Sequence, residues 1–330
     1  MKTLVTGAAG FIGAHVVREL LDEGHNVICL DDLSGGFEDN LPQNATFIHC
    51  DIFDHNAISE LFNKHKFDYV YHLAAYAAEG LSHFIKRFNY NNNLIGSINL
   101  INESVKHKIK CFVFTSSIAV YGDLPSPMRE DMTPQPEDPY GIAKFAVEQE
   151  LKITKEMFGL DYIIFRPHNV YGEFQNLGDK YRNVVGIFIN QLMQGKSLTI
   201  FGDGEQSRAF SYVGDIAPII ANCINNKSAY NQIFNIGADR ELTVNDLAIA
   251  IKKAMGANQS VRHVEARNEV KHAWSDHTKL RKVFGAILET PLQKGLEKMI
   301  QWAKSTGIKK GLKFKDIEIT ENLPPVWLED

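Results

Sequence analysis

KTLVTGAAGFIG, from Lys2 to Gly13, joins a short apolar run to three glycines at three-residue spacing, Gly7, Gly10 and Gly13. Leu4 and Val5 read as a buried parallel strand. Phe11, Ile12, Val16, Val17, Leu20 and Leu21 then recur with helical period, so the glycines stand where a strand turns into a helix. In a dinucleotide fold one such glycine permits the tight turn, one lets the backbone approach a pyrophosphate, and one lets helix pack closely on strand. The helix N-terminus offers free N–H groups and a positive dipole end to the phosphates. The competing reading is an ordinary strand–helix turn with no ligand. Context favours the first. Asn26 to Leu30 (NVICL) reads as a second strand, with Asp31-Asp32 at its C-terminal end. An acidic residue about 20 positions beyond the glycines can accept hydrogen bonds from the adenosine ribose. No Arg or Lys lies within Asp31 to Phe37 to hold a 2′-phosphate, so NAD is favoured over NADP.

A chain of 330 residues can hold one large α/β domain or two smaller ones, and 44% hydrophobic with 23% charged residues is ordinary for a soluble protein. A net charge of −5 gives no reason to expect nucleic acid as a partner. The amino end is itself the first strand, which argues against a signal peptide. No apolar run approaches about 18 residues, so no membrane span is expected. Cys29, Cys50, Cys111 and Cys223 are scattered, three of them in predicted strands, and read as buried reduced thiols of a cytoplasmic protein. No CxxC, HExxH or EF-hand spacing occurs, so no metal is expected.

Strands and helices alternate through the first half. Thr46 to Cys50, Asp68 to Leu73, Lys110 to Thr115 and Leu160 to Arg166 read as strands three to six. Asp54 to His65, a long amphipathic stretch from Ser82 to His107, and Pro139 to Phe158 read as helices. Asp138-Pro139 is a good N-cap and first-turn pair. The loop Asp123 to Asp138 holds four prolines, and loops of this length are usually functional. Such repeated βα units predict an α/β fold, a Rossmann-type doubly wound parallel sheet with its ligand at the C-terminal strand ends. Beyond Pro167 the pattern loosens. Helices are expected at Val185–Gln194, Asp215–Asn225, Val244–Met255 and Pro291–Ser305, and strands at Ser197–Phe201, Gln232–Ile236 and Val261–Val264. The expected division is an NAD-binding domain over 1–170, to which 211–240 returns, and a smaller C-terminal α/β substrate-binding lobe from 171–210 and 241–330. The tail after Gly311 shows no periodicity.

Tyr140 and Lys144 are four apart on a predicted helix and share a face, about 6 Å apart at Cβ. The plain alternative is two surface residues on an exposed helix. Their setting, after the proline-rich loop and near Ser117 at a strand end, points to chemistry. A phenol has a pKa near ~10, so a tyrosinate base at neutral pH needs lowering by ~3 units, or ~4 kcal/mol. A neighbouring ammonium and a positive nicotinamide ring can together supply that. Ser117 can hydrogen-bond the same substrate oxygen.

TGAAGFIG (Thr6–Gly13), HLAA (His72–Ala75), SSIAVYG (Ser116–Gly122), YGIAK (Tyr140–Lys144), RPHNVYG (Arg166–Gly172) and the Arg208-centred QSRAFSYVGD together resemble the extended short-chain dehydrogenase/reductase family. The likeness runs from Met1 to about Asp276. Within the family the chain is most similar to NAD-dependent nucleotide-sugar epimerases of the UDP-glucose 4-epimerase type. The resemblance implies that Tyr140 removes the proton of the sugar 4-hydroxyl while the C4 hydride passes to NAD, and that the 4-keto sugar turns over and takes the hydride back on its other face. It implies that Lys144 holds the nicotinamide ribose and that Ser117 orients the substrate. It places Gly7, Gly10, Phe11 and Ile12 at the pyrophosphate, Asp31 and Asp32 at the adenosine ribose, Asp51 and Ile52 at the adenine, and Leu73, Ala74, Ala75, Asn93 and Pro167 along the cofactor channel. Asn169, Asn183, Arg208 and Arg267 match positions that grip the nucleotide diphosphate, and a homodimer built on the Ser82–His107 and Pro139–Phe158 helices is implied.

After Ser117, sugar 4,6-dehydratases of this family carry an Asp-Glu pair, decarboxylases a Glu at the second position, and 3,5-epimerases a Cys there. This chain has Ile118-Ala119, which cannot move a proton. That favours 4-epimerisation of a UDP-hexose, UDP-N-acetylhexosamine or UDP-uronate. The alternatives are another nucleotide-sugar enzyme (a reductase or dehydratase), or a dinucleotide-sensing protein without catalysis. The family's Arg-x-Gly-Asp is here Arg267-Asn268-Glu269-Val270, one residue shorter, so the residue gating pocket size falls at Ala273, which admits an N-acetyl group, or Trp274, which does not. Glu79, His83 and Arg87 either touch the sugar or form a local polar network, and His168 reads as a neighbour of the site rather than an extra acid or base.

Overall fold

The computed structural model describes residues 1–267, 269–286, 289–310 and 313–328. Seven parallel strands, β1 (Lys2–Thr6), β2 (Asn26–Asp31), β3 (Thr46–His49), β4 (Tyr69–His72), β5 (Cys111–Thr115), β6 (Tyr162–Pro167) and β7 (Gln232–Ile236), form one sheet in the order β3-β2-β1-β4-β5-β6-β7. Growth of the sheet reverses direction between β1 and β4, and the crevice at such a reversal, outside the carboxyl strand ends, is where this architecture holds ligands. Alternate residues along the strands feed two cores. Val5, Cys29, Tyr71, Val113 and Phe165 join one, and Leu4, Ile28, Val70, Phe112 and Ile164 join the other. Burial on both faces is why these strands read as continuous apolar runs.

Helix α1 (Phe11–Asp22) covers the first face, while α2 (His55–Lys64), α3 (Gly96–Lys106) and α4 (Pro139–Phe158) cover the second. Past β6, α5 (Val184–Met193) begins the smaller lobe, α6 (Val213–Asn222) returns to pack against α1, and α7 (Val244–Met255) and α8 (Leu292–Thr306) pack with α5. Leu198–Phe201 pairs with Val261–Val264, and Ser207–Ala209 lies between Glu241–Thr243 and His272–Ala273. The chain thus forms a Rossmann-type α/β fold with a smaller C-terminal lobe.

The stretch expected as one helix over 82–107 is helical without a break from Lys86 to Lys106, with a π-turn inside it, and starts later than expected. A short turn (Glu79–Ser82), a helix (Lys86–Tyr90) and a π-turn (Asn91–Ile95) lead into α3. The π-turn falls in an Asn-rich run whose Asn89 and Asn93 point inward and bond each other at 2.8 Å. Cys50 lies just past β3 and is half-buried, not in a strand as expected; all four cysteines are free. Among the described residues no helix is long and apolar enough to cross a membrane. The tail has order after all: Phe314, Leu323 and Trp327 pack on Tyr76, Leu81 and Ile85. Gly311 and Leu312, where that tail begins, lie outside the described residues, as do its last two residues and Asn268.

Candidate active site

A cavity of ≈ 390 Å³ opens at the C-terminal strand ends and runs from the glycine loop to the smaller lobe. At its cofactor end the loop geometry forces the glycines. Gly7 has φ +68°, and a Cβ there would lie 2.6 Å from Ala74 N; a Cβ on Gly13 would lie 2.0 Å from Gly7 O. Gly10 is the N-cap of α1 and brings no side chain to it, so the first-turn N–H groups of Phe11 and Ile12 face the cavity without a protein cap. An uncapped helix end beside a channel walled by Leu73, Ala74, Ala75 and Pro167, with Asp51 and Ile52 at its far end, fits a dinucleotide.

Asp31 does two jobs. Its Oδ2 accepts the Ala9 N–H (3.0 Å) and its Oδ1 the Leu33 N–H (2.8 Å), which ties the glycine loop to the end of β2. Burial pushes its pKa up while those amides pull it down. A carboxylate has about four lone-pair sites, so these amides leave acceptor capacity for a ribose. Asp32 Oδ1 is taken by Ser34 N–H and hydroxyl. Asn93 does not line the cavity. It is buried behind the wall, where its amide accepts the Tyr76 N–H (2.9 Å) and donates to Tyr76 O (3.2 Å).

Ser117, Tyr140 and Lys144 come together past β5. Asp138 caps α4 through the Gly141 N–H (2.9 Å), Pro139 starts it, and the Tyr140 N–H donates to Ser82 Oγ (3.3 Å). Gly141 lets α4 approach the turn after Ser117, since a Cβ there would lie 2.5 Å from Ala119 O. Ser117 Oγ accepts the Ala119 N–H (3.1 Å), which leaves its hydroxyl proton to donate, and Ser117 also pulls the Tyr140 phenol pKa down. Lys144 Nζ donates to Thr115 O (2.9 Å) and stands 5.8 Å from the Tyr140 ring centroid. Burial pulls its pKa down to about 7, with Glu148 opposing. Burial pushes the Tyr140 phenol upward, Glu79 and Asp138 reinforce this, and Ser117 and Arg182 pull against it. The protein alone therefore keeps the phenol protonated, and ionisation at neutral pH needs a further positive charge at the site.

The substrate end differs in detail from its sequence reading. Asn169 and Asn183 line the cavity, each with left-handed φ (40° and 65°), and the Asn183 side chain makes no cap bond to α5. Arg208 spends its donors on Ser207 O (2.8 Å), Lys271 O (3.0 Å) and Val270 O (2.6 Å), so it braces the 267–271 segment as well as facing the cavity. Arg267 lines the cavity and bonds Glu269 (2.8 Å), while its Nε is buried with no partner among the described residues. Ala273 lines the cavity and Trp274 does not; of Glu79, His83 and Arg87 only Glu79 does. His168 Nδ1 pairs with Ala209 O (3.0 Å) and its Nε2 with His277 (3.1 Å), and burial with the His277 charge pulls its pKa down to about 3. It stays neutral and braces the wall. Sequence reading missed Arg182, which bonds Asp179 (2.7 Å), lies 4.5 Å from the Tyr76 ring centroid and bears on Tyr140. It sits in a loop without periodicity, and only the fold brings it to the phenol. Among the described residues no group of acids, His and Cys is placed to hold a metal.

A Rossmann sheet with a phenol, an ammonium and a hydroxyl gathered at its strand ends puts this chain among the dinucleotide-dependent enzymes. It belongs to the NAD dependent epimerase/dehydratase family, whose model matches residues 3–237. It is 35% identical over 306 residues, 92% of this chain and 98% of the other, to a putative UDP-glucose 4-epimerase of Methanocaldococcus jannaschii. Among solved structures it is similar to UDP-glucose 4-epimerase with UDP-glucose from Thermotoga maritima (TM-score 0.89, 35% identity, 93% of this chain and 99% of that one). It is also similar to UDP-N-acetylglucosamine 4-epimerase from Methanobrevibacter ruminantium M1 in complex with UDP-N-acetylmuramic acid (TM-score 0.86, 33% identity, 92% and 98%).

Proposed function

We propose that this protein is an NAD-dependent 4-epimerase of UDP-linked sugars, and that it works by transient oxidation at C4. The observation that carries the reading is the Ser117–Tyr140–Lys144 cluster with only Ile118 and Ala119 following it on the cavity wall. Oxidation and re-reduction need one group that takes and returns a single proton. Dehydration or decarboxylation needs more, and those positions carry no acid or base.

NAD, when bound, would supply the reversible oxidant for C4 and a positive charge in the site. Phe11 and Ile12 N–H groups with Gly7 and Gly10 hold its pyrophosphate, Asp31 its adenosine ribose with Asp32 beside it, Asp51 and Ile52 its adenine, and Lys144 its second ribose. Leu73, Ala74, Ala75 and Pro167 wall the channel, and Asn93 steadies that wall through Tyr76. Tyr140, ionised with help from that positive charge, accepts the proton of the sugar 4-hydroxyl and later returns it. Ser117 donates to the same oxygen and aligns it. Lys144, held by Thr115 O, keeps positive charge one helical turn from the phenol. Asn169, Asn183, Arg208 and Arg267 line the cavity where the UDP diphosphate would lie, and the guanidinium groups suit an anion there. Ala273 on the wall leaves room for an N-acetyl group.

Ile142, Ile153 and Met157 are exposed on one face of α4, which supports a homodimer through that helix. Incubation with a panel of UDP-sugars without added NAD(H), read by NMR, is expected to show interconversion at C4. A 4-keto-6-deoxy product would overturn the elimination of dehydration, and a panel that stays unchanged on protein carrying NAD would leave a non-catalytic dinucleotide holder.

A further inference from the structure

We infer that Glu79 sets the sugar preference of this site, admitting neutral hexosyl and N-acetylhexosaminyl groups and turning away uronates. The inference rests on the 4-epimerase reading. Glu79 opens the short turn that follows the end of β4. Its side chain is exposed, and what it is exposed to is the cavity it lines. Its backbone carbonyl accepts the Ser82 hydroxyl (2.6 Å), but its carboxylate makes no hydrogen bond or ion pair among the described residues. A carboxylate that faces the cavity with no protein partner keeps all its acceptor sites for a donor on a ligand.

The charges around it define what that ligand can be. Asp138 faces it from the cap of α4, Tyr140 from the first turn of that helix, Arg208 from the strand Ser207–Ala209, and Arg267 and Glu269 from the segment before His272. His83 bears on Asp138, and Arg182 reaches the group through Tyr140. The two arginines of the smaller lobe both lie within ion-pair reach of Glu269, at 3.7 Å for Arg208 and 2.8 Å for Arg267. What positive charge they retain is matched to the diphosphate. A uronate carboxylate brought to the Tyr140 side would meet Glu79 and Asp138, while the cation on that side, Arg182, is already paired with Asp179. Like charges at close range are an effective means of rejecting a wrong substrate. A hydroxyl or an acetamido N–H can instead donate to Glu79. Burial and Asp138 push the Glu79 pKa up to about 7, although the arginines oppose them, so its charge is present above neutrality and lost below.

The test is kcat/KM for UDP-glucose, UDP-N-acetylglucosamine and UDP-glucuronate, on wild type and Glu79→Gln, over pH values either side of neutrality. Wild type is expected to favour the neutral sugars by about tenfold or more, as a like-charge contact of this kind requires. That preference narrows as pH falls through the Glu79 titration. Glu79→Gln keeps the shape and removes the charge, so it narrows the ratio at high pH and flattens its pH dependence, which a merely structural role would not do. Should the variant not fold, the wild-type pH dependence of the ratio decides alone. Equal use of UDP-glucuronate and UDP-glucose, or a ratio that neither pH nor the variant moves, overturns the inference and leaves the 4-epimerase reading standing. Conversion of no UDP-sugar overturns both.

Discussion

Tyr140→Phe is expected to cut kcat by about 10²–10⁴-fold, the range for loss of a positioned proton-transfer group. The variant removes one buried oxygen. Tyr140 is 5% exposed, and its backbone N–H still donates to Ser82 Oγ. Fold and cofactor content should therefore be preserved, with KM changed far less than kcat. The pH profile separates this from a packing defect. A base must be deprotonated to accept the sugar proton, so wild-type kcat/KM rises with pH through the ionisation of the phenol in the loaded enzyme. Burial, Glu79 and Asp138 push that ionisation up, against Ser117 and Arg182. The rising limb is expected to disappear in Tyr140→Phe. A variant that keeps both the limb and most of its activity removes Tyr140 from the chemistry.

The largest stability effect is expected at Glu148, one helical turn past Lys144. Glu148 is fully buried and Arg166 nearly so, and the pair is bidentate, with Arg166 Nε at 2.9 Å from Glu148 Oε1. Ser116 also donates to Glu148 Oε1 at 2.6 Å. Glu148→Ala leaves a guanidinium uncompensated in the core, where Arg166 Nη1 already lacks a hydrogen-bond partner among the described residues. Removing one member of such a pair costs about 3–5 kcal/mol. Replacing both, as Glu148→Leu with Arg166→Met, is expected to recover most of that loss in denaturant unfolding, because no charge is stranded. Glu148 also opposes the burial that pulls the Lys144 pKa down. Both variants should thus lose activity at neutral pH, including the double variant whose stability returns. Equal instability of the single and double variants would mean that packing, not charge, is what Glu148 supplies.

The sheet and the glycine loop were legible because their causes are local. Strands buried on both faces leave apolar runs, and a loop in which an added Cβ would lie only 2.0–2.6 Å from neighbouring backbone atoms demands glycine at Gly7 and Gly13. Asp138-Pro139 announced α4, and four-residue spacing placed Tyr140 beside Lys144. What escaped depends on contacts made far along the chain. Arg182 meets Tyr76 across more than a hundred residues, and the strands 207–209 and 272–273 are too short to show a period. The π-turn inside the 86–106 helix falls where Asn89 and Asn93 point inward, which polarity alone would place outside. The tail gave no pattern because its Phe314 and Trp327 are aromatic plugs for the Tyr76–Ile85 segment rather than parts of a regular element. The family resemblance implies only a diphosphate grip for Arg208 and Arg267, and their bonds to Val270 O, Lys271 O and Glu269 show how much of a cleft arginine can go to holding its own wall.

Proton removal by Tyr140 is useful only if the carbon-bound hydrogen at C4 leaves and returns within the closed cavity. A UDP-sugar carrying deuterium at C4, incubated with the protein in ordinary water and without added NAD(H), tests that directly. The epimer is expected to keep its deuterium at C4. Epimer formed with that deuterium washed out into water would contradict transient oxidation at this site.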